Sequence, residues 1–190
     1  RHPRWLSDWS SRRVLFRSEN YLQLKEMLEV QGFTFVSETD TEVIAHLLEY
    51  HYDGDLVNTV TKTVCELEGS YALGVISKDS PGELVAARKD SPLIVGKGSN
   101  GNLIASDIPA IIEYTRDVYI LEDKEVVRLT AADITIMDIF GRKVDREIYR
   151  VDWDIEAAEK QGYEHFMMKE ICEEPKVLKD TIGPRIKDGS

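Results

Sequence analysis

Apolar positions from Glu19 onward fall first into helical spacing and then into strand spacing. Tyr21, Leu24, Met27 and Leu28 recur at intervals of three and four, and Gly32 follows as a stop signal, so the spacing predicts a helix ending there. Phe33-Thr34-Phe35-Val36 reads as a strand or an extended lead-in. A second helix carries Val43, Ile44, Leu47 and Leu48 on one side, and Thr39 with Glu42 three residues on has the spacing of a capping box. A third follows Asp53-Gly54-Asp55, with Leu56, Val60 and Val64 on its inner face.

The period then shortens. Tyr71–Ile76, Leu84–Ala87, Leu93–Gly96, Leu103–Ala105, Val118–Leu121, Glu125–Leu129 and Ile134–Met137 read as strands, with a turn expected at Pro81-Gly82. Ser106-Asp107 with Pro109 has the signature of a helix start, predicting a short helix over Ile108–Tyr114. From Ile155 to about Asp180 the pattern is helical again, with a break expected at Pro175. A sheet-rich middle between helical flanks argues for an α+β fold, helices packed outside antiparallel sheets.

Composition narrows the function classes. The 190 residues are 42% hydrophobic and 31% charged, values of a globular chain. No apolar run approaches the roughly 18 residues that span a bilayer, so no membrane-crossing helix is expected. A net charge of -11 disfavours binding to phosphate backbones, so nucleic acid is not an expected partner. The charge is uneven: residues 1–17 hold Arg1, Arg4, Arg12, Arg13 and Arg17 against Asp8 alone, together with Trp5 and Trp9. That stretch reads as foreign to the domain that follows. The chain lacks a CxxC pair or zinc-type spacing, and His46 and His51, five apart, point away from each other on a helix, so no metal and no cofactor is expected.

Few residues suggest chemistry on their own. Gly96-x-Gly98-x-x-Gly101 could cradle a phosphate, but it lies between two strands with no helix after it, and Asn100-Gly101 is a hairpin pair. Cys65 falls beside the apolar face of its helix and reads as structural. Glu170, Glu173 and Glu174 read as a solvated helix face. Asp40, just before a helix, could meet a ligand's ammonium group or simply interact with the free N–H groups of that helix; spacing leaves both open.

The string Ser37-Glu38-Thr39-Asp40-Thr41-Glu42-Val43-Ile44-Ala45-His46 closely resembles a signature of the glutamine–fructose-6-phosphate aminotransferase (isomerizing) family, the glucosamine-6-phosphate synthases. The likeness continues in order through Leu67-Glu68-Gly69-Ser70-Tyr71-Ala72, Ala86-Ala87-Arg88, Ser91-Pro92-Leu93, Ile104-Ala105-Ser106-Asp107 and His165–Ile171 with Glu174-Pro175. The resemblance implies part of a class II glutamine amidotransferase domain with the N-terminal-nucleophile hydrolase fold, a partial four-layer αββα sandwich. In that family an N-terminal cysteine attacks the glutamine amide, and the ammonia passes to a sugar isomerase domain that makes glucosamine 6-phosphate from fructose 6-phosphate. The chain starts at Arg1 without that cysteine, lacks the arginine motif that holds the substrate carboxylate, and has Leu15-Phe16 where the family's oxyanion Asn-Gly falls. No catalytic residue carries over, only Asp40, which matches the family aspartate that binds the α-amino group of glutamine.

The resemblance therefore implies an anomalous basic segment at 1–18, the C-terminal portion of the glutaminase domain at 19–155, and at 156–190 a helical exit and the start of a linker to the isomerase domain. It implies glutamine as ligand, the isomerase domain as partner and a cytoplasmic setting, and it leaves open a homodimer. Without the nucleophile the chain alone is expected to be inactive. The alternative is a non-catalytic glutamine-binding or assembly module derived from the same domain.

Overall fold

The computed structural model describes residues 15–152, 163 and 166–183. Among these, an edge strand leads into three helices, eight further strands follow, and a last helix closes the described chain. The basic residues up to Arg13, the start of the predicted exit helix and the tail after Gly183 lie outside the described residues. Contacts divide the chain into two units, residues 1–151 and 152–190.

Helices α1 (Tyr21–Val30), α2 (Thr41–His51) and α3 (Leu56–Glu66) form where the three-and-four spacing predicts them. Their apolar stripes meet in one core: Leu24 and Leu28 from α1, Val43, Ile44, Leu47 and Leu48 from α2, and Leu56, Val60 and Val64 from α3. Local chemistry fixes the helix starts. The Asp55 carboxylate accepts the Asn58 N–H at 3.0 Å, capping α3. Buried Asn20, before α1, donates from Nδ2 to the Glu66 carbonyl at 2.8 Å and accepts the Glu68 N–H at 3.1 Å, tying the start of α1 to the end of α3.

The strands form two antiparallel sheets. The first has the order β1-β2-β3-β7-β8, with β1 Leu15–Ser18, β2 Gly69–Ser77, β3 Ser80–Lys89, β7 Glu125–Thr130 and β8 Ile134–Asp138. The second has the order β5-β4-β6-β9, with β4 Ile94–Lys97, β5 Asn102–Ala105, β6 Asp117–Ile120 and β9 Tyr149–Arg150. Leu15–Ser18, the last residues of the segment that the sequence sets apart, pair as an edge strand with Gly69–Ala72.

Strand alternation builds the layers. In β2 and β3, Leu73, Val75, Val85 and Ala87 face the helices, while Ala86 joins Val127, Leu129 and Ile136 against Leu93, Val95 and Leu121 of the second-sheet side. The inter-sheet gap is narrow at Gly74, where an added Cβ would lie 2.6 Å from Ile104 Cδ1. On the outer side of the second sheet, Gly96 faces Ile111 and Thr115, so the segment after β5 covers part of the face a second helical layer would take. The result is the expected α+β arrangement, a partial αββα sandwich.

Three local expectations change. Ile108–Tyr114 forms successive turns rather than a helix: the Asp107 carboxylate accepts the Ala110 N–H at 3.1 Å and Ile111 N–H bonds the Ile108 carbonyl, but the pattern does not propagate in so short a segment. The β2–β3 turn sits at Lys78-Asp79, because Ser77 pairs with Ser80; Pro81 and Gly82 already belong to β3. Helix α4 (Phe166–Ile182) runs through Pro175, since proline removes one donor while the helix formers around it (Glu173, Glu174, Lys176, Leu178) sustain the turns on either side.

Candidate functional site

The segment from Phe33 to Asp40 leaves α1, runs extended and delivers Asp40 to the start of α2. Asp40 has helical backbone angles (φ -64°, ψ -23°), is half-buried, and its side chain caps no N–H. No hydrogen bond or ion pair to its carboxylate occurs among the described residues. The Asp40 carboxylate therefore makes no capping hydrogen bond, and its place at the start of α2 keeps it beside the positive end of that helix.

Glu42 takes the part that spacing assigns to a capping box, but on other partners. Its Oε1 accepts the Val36 N–H at 2.9 Å and its Oε2 the Ser37 N–H at 2.7 Å, so it reaches back past Thr39 and grips the extended segment. The Thr39 N–H turns instead to Ser37 Oγ at 3.2 Å, and the hydroxyls of Ser37, Thr39 and Thr41 form a short chain with separations of 2.8 and 3.2 Å. Burial pushes the Glu42 carboxyl up, but the Val36 and Ser37 bonds and the nearby His46 outweigh it and hold the group below its ordinary value.

His46, one helical turn on, is 1% exposed and lies between Phe33 and Phe35, with ring centroids 5.2 and 4.6 Å away. Its Nε2 has no hydrogen-bond partner among the described residues and sits 3.4 Å from Glu42 Oε1. Sequence reasoning weighs His46 only as a metal ligand and Glu42 only as a cap. The available signal is the Glu-x-x-x-His spacing on a helix that follows Phe-x-Phe.

The other candidates stand apart from this arrangement. Cys65, expected beside the core, is exposed because it follows rather than belongs to the Leu56–Val60–Val64 stripe, and no hydrogen bond or ion pair joins it to a base among the described residues. The glycine-rich stretch is a four-residue hairpin loop between Lys97 and Asn102, closed so tightly that a Cβ on Gly98 would lie 2.5 Å from the Gly101 carbonyl oxygen. Arg88 is structural: it donates to the Leu121 carbonyl at 2.9 Å and to Asp123 at 2.6 Å, joining β3 to the turn before β7. Glu170 and Glu174 are exposed on α4, and Glu173 lies 3.9 Å from Lys169. Leu15 and Phe16, which the resemblance aligns with the family's oxyanion Asn-Gly, pair with Ala72 and Tyr71 on the sheet edge. Among the described residues no group of three His, Cys, Asp or Glu could hold a metal ion, and no helix is long and apolar enough to cross a membrane.

A helix-backed double antiparallel sheet of this kind has counterparts of known type. Residues 17–113 match the glutamine amidotransferase domain model, and the chain belongs to that family. The fold is shared with the glutamine phosphoribosylpyrophosphate amidotransferase of B. subtilis, at a TM-score of 0.57 and 25% identity over 64% of this chain and 27% of that one. Within the family the similar curated proteins are glutamine–fructose-6-phosphate aminotransferases (isomerizing): 55% identical over 172 residues in Caldanaerobacter subterraneus, 53% over 171 in Clostridium tetani and 52% over 170 in Thermus thermophilus. Each alignment covers 90% of this chain and 28% of the relative, so the chain spans under a third of their length.

Proposed function

We propose that this chain supplies the ammonium-binding side of a glutaminase site in a glutamine–fructose-6-phosphate aminotransferase. Asp40 carries the reading: a half-buried carboxylate, free of protein partners among the described residues, at the mouth of α2. A glutamine α-ammonium set against it gains a charge-assisted bond without displacing an existing contact. The 52–55% identity to aminotransferases of that activity supports the same choice of substrate.

In such a site a thiolate attacks the glutamine side-chain amide, a thioester forms and ammonia leaves, with N–H donors stabilising the oxyanion. This chain's part is to bind and orient the substrate. On this reading the attacking thiol is neither Cys65, exposed and joined to no base among the described residues, nor Cys172, and an upstream amidotransferase segment would supply it. The ammonia would go to a sugar isomerase domain acting on fructose 6-phosphate, approached through residues 156–190, in a cytoplasmic enzyme. Two free cysteines are in keeping with a reducing compartment.

The test is ammonia release from glutamine. The chain as given should release none. With residues 1–18 replaced by an upstream amidotransferase segment that carries an N-terminal cysteine and the oxyanion Asn-Gly, the joined protein should turn glutamine over. Release by the chain alone, or an inactive joined protein that is correctly folded, would contradict the proposal.

A further inference from the structure

Building on the reading of Asp40, we infer that Glu42 and His46 are positioning residues that set the place of Asp40 without touching the substrate. The geometry runs through one contiguous set of contacts. Phe33 and Phe35 close over the buried imidazole of His46, while Val36 and Ser37 give both backbone N–H groups to Glu42. Four residues of the segment are thus gripped by two side chains one turn apart on α2, and Asp40 follows three residues after the last gripped position.

The grip needs both members. A carboxylate matches two parallel N–H donors; an amide cannot, because its NH2 would oppose one of them. His46 Nε2, buried and without a hydrogen bond among the described residues, faces Oε1 at 3.4 Å. That contact biases the carboxylate toward the rotamer in which its two oxygens meet Val36 and Ser37. An apolar residue in place of His46 would fill the space between the phenyl rings but leave the acid without that guide.

Two measurements test this. Amide hydrogen exchange on this chain reads the grip itself. Glu42→Gln should speed exchange at Val36 and Ser37 by about 10-fold or more while core amides at Leu47 and Val60 change less than about 3-fold. His46→Leu should act in the same direction, and His46→Gln, which keeps a polar group facing Oε1, should recover part of the protection. Glutamine kinetics of the joined active protein read the consequence. Glu42→Gln should raise KM about 5- to 20-fold with kcat within about 2-fold.

Unchanged exchange at Val36 and Ser37, or accelerated exchange with KM unaltered, would overturn the inference. So would equal acceleration of the core amides together with a fall in kcat, the mark of a general stability role. If Glu42→Gln does not fold, the His46→Leu and His46→Gln pair decides alone, and equal KM for the two is then the refuting result. Failure of the underlying reading looks different: Asp40→Asn would leave KM unchanged while the exchange effects of Glu42→Gln persist.

Discussion

Replacing Asp40 with asparagine removes a charge and almost nothing else. Asparagine has the same shape, accepts the same helical backbone angles, and no hydrogen bond among the described residues depends on the carboxylate. The cost to the fold is limited to the lost interaction with the N-terminus of α2, about 0.3–1 kcal/mol. The cost to a bound ammonium is larger, because a half-buried charge-assisted hydrogen bond contributes about 1.5–3 kcal/mol. Converted to affinity, that is about a 10- to 150-fold loss. The assay pairs thermal unfolding of the chain with glutamine KM in the joined, active protein. A KM within about 2-fold of the parent, with the melting temperature lowered by no more than that small cost to the fold implies, would refute the assignment of Asp40 to the substrate amine.

Three further outcomes follow from the same geometry. Leu47→Ala, at a site with no exposed surface between α2 and the first sheet, should cost about 2–5 kcal/mol, read by denaturant unfolding; a loss under about 1 kcal/mol would mean the helical layer is not packed as described. Gly98→Ala should destabilise more than Gly74→Ala, because the new methyl meets the Gly101 backbone carbonyl in the first case and the flexible tip of Ile104 in the second; melting temperatures in the reverse order would contradict this. Glu42, held below its ordinary value of 4.5 in the folded chain, stabilises above that pH, and this contribution disappears as pH falls through the lower folded value. Acid unfolding of Glu42→Gln should therefore be shallower below pH about 5 than that of the parent, and parallel curves would contradict the assignment.

Periodicity made most of the fold legible. The four-residue rhythm of Leu56, Val60 and Val64 and the alternation of Leu73, Val75, Val85 and Ala87 each report a face that must be buried, and those faces are the core. Positions whose outcome depends on distant partners were not legible. Pro81-Gly82 looks like a turn until Ser77 finds Ser80 across the hairpin. Ile108–Tyr114 has a helix-start signal, but a segment of that length gains too few hydrogen bonds to offset nucleation. At the site, Asp40 became a candidate through its surrounding string, while the absence of a capping hydrogen bond was not legible, because the same spacing fits a capping acid. Glu42 misleads for the converse reason. Its partners are five and six residues back on an extended segment, and local capping rules look only three residues away.

The most direct measurement is a cycle that deletes the charge from each side in turn. Inhibition constants for glutamine and for its analogue lacking the α-amino group would be compared in the joined protein and in its Asp40→Asn variant. If the carboxylate holds the ammonium, each single deletion weakens binding and the double deletion adds little to either. Fully additive losses would show that the two groups do not meet, and the place given to Asp40 would be wrong.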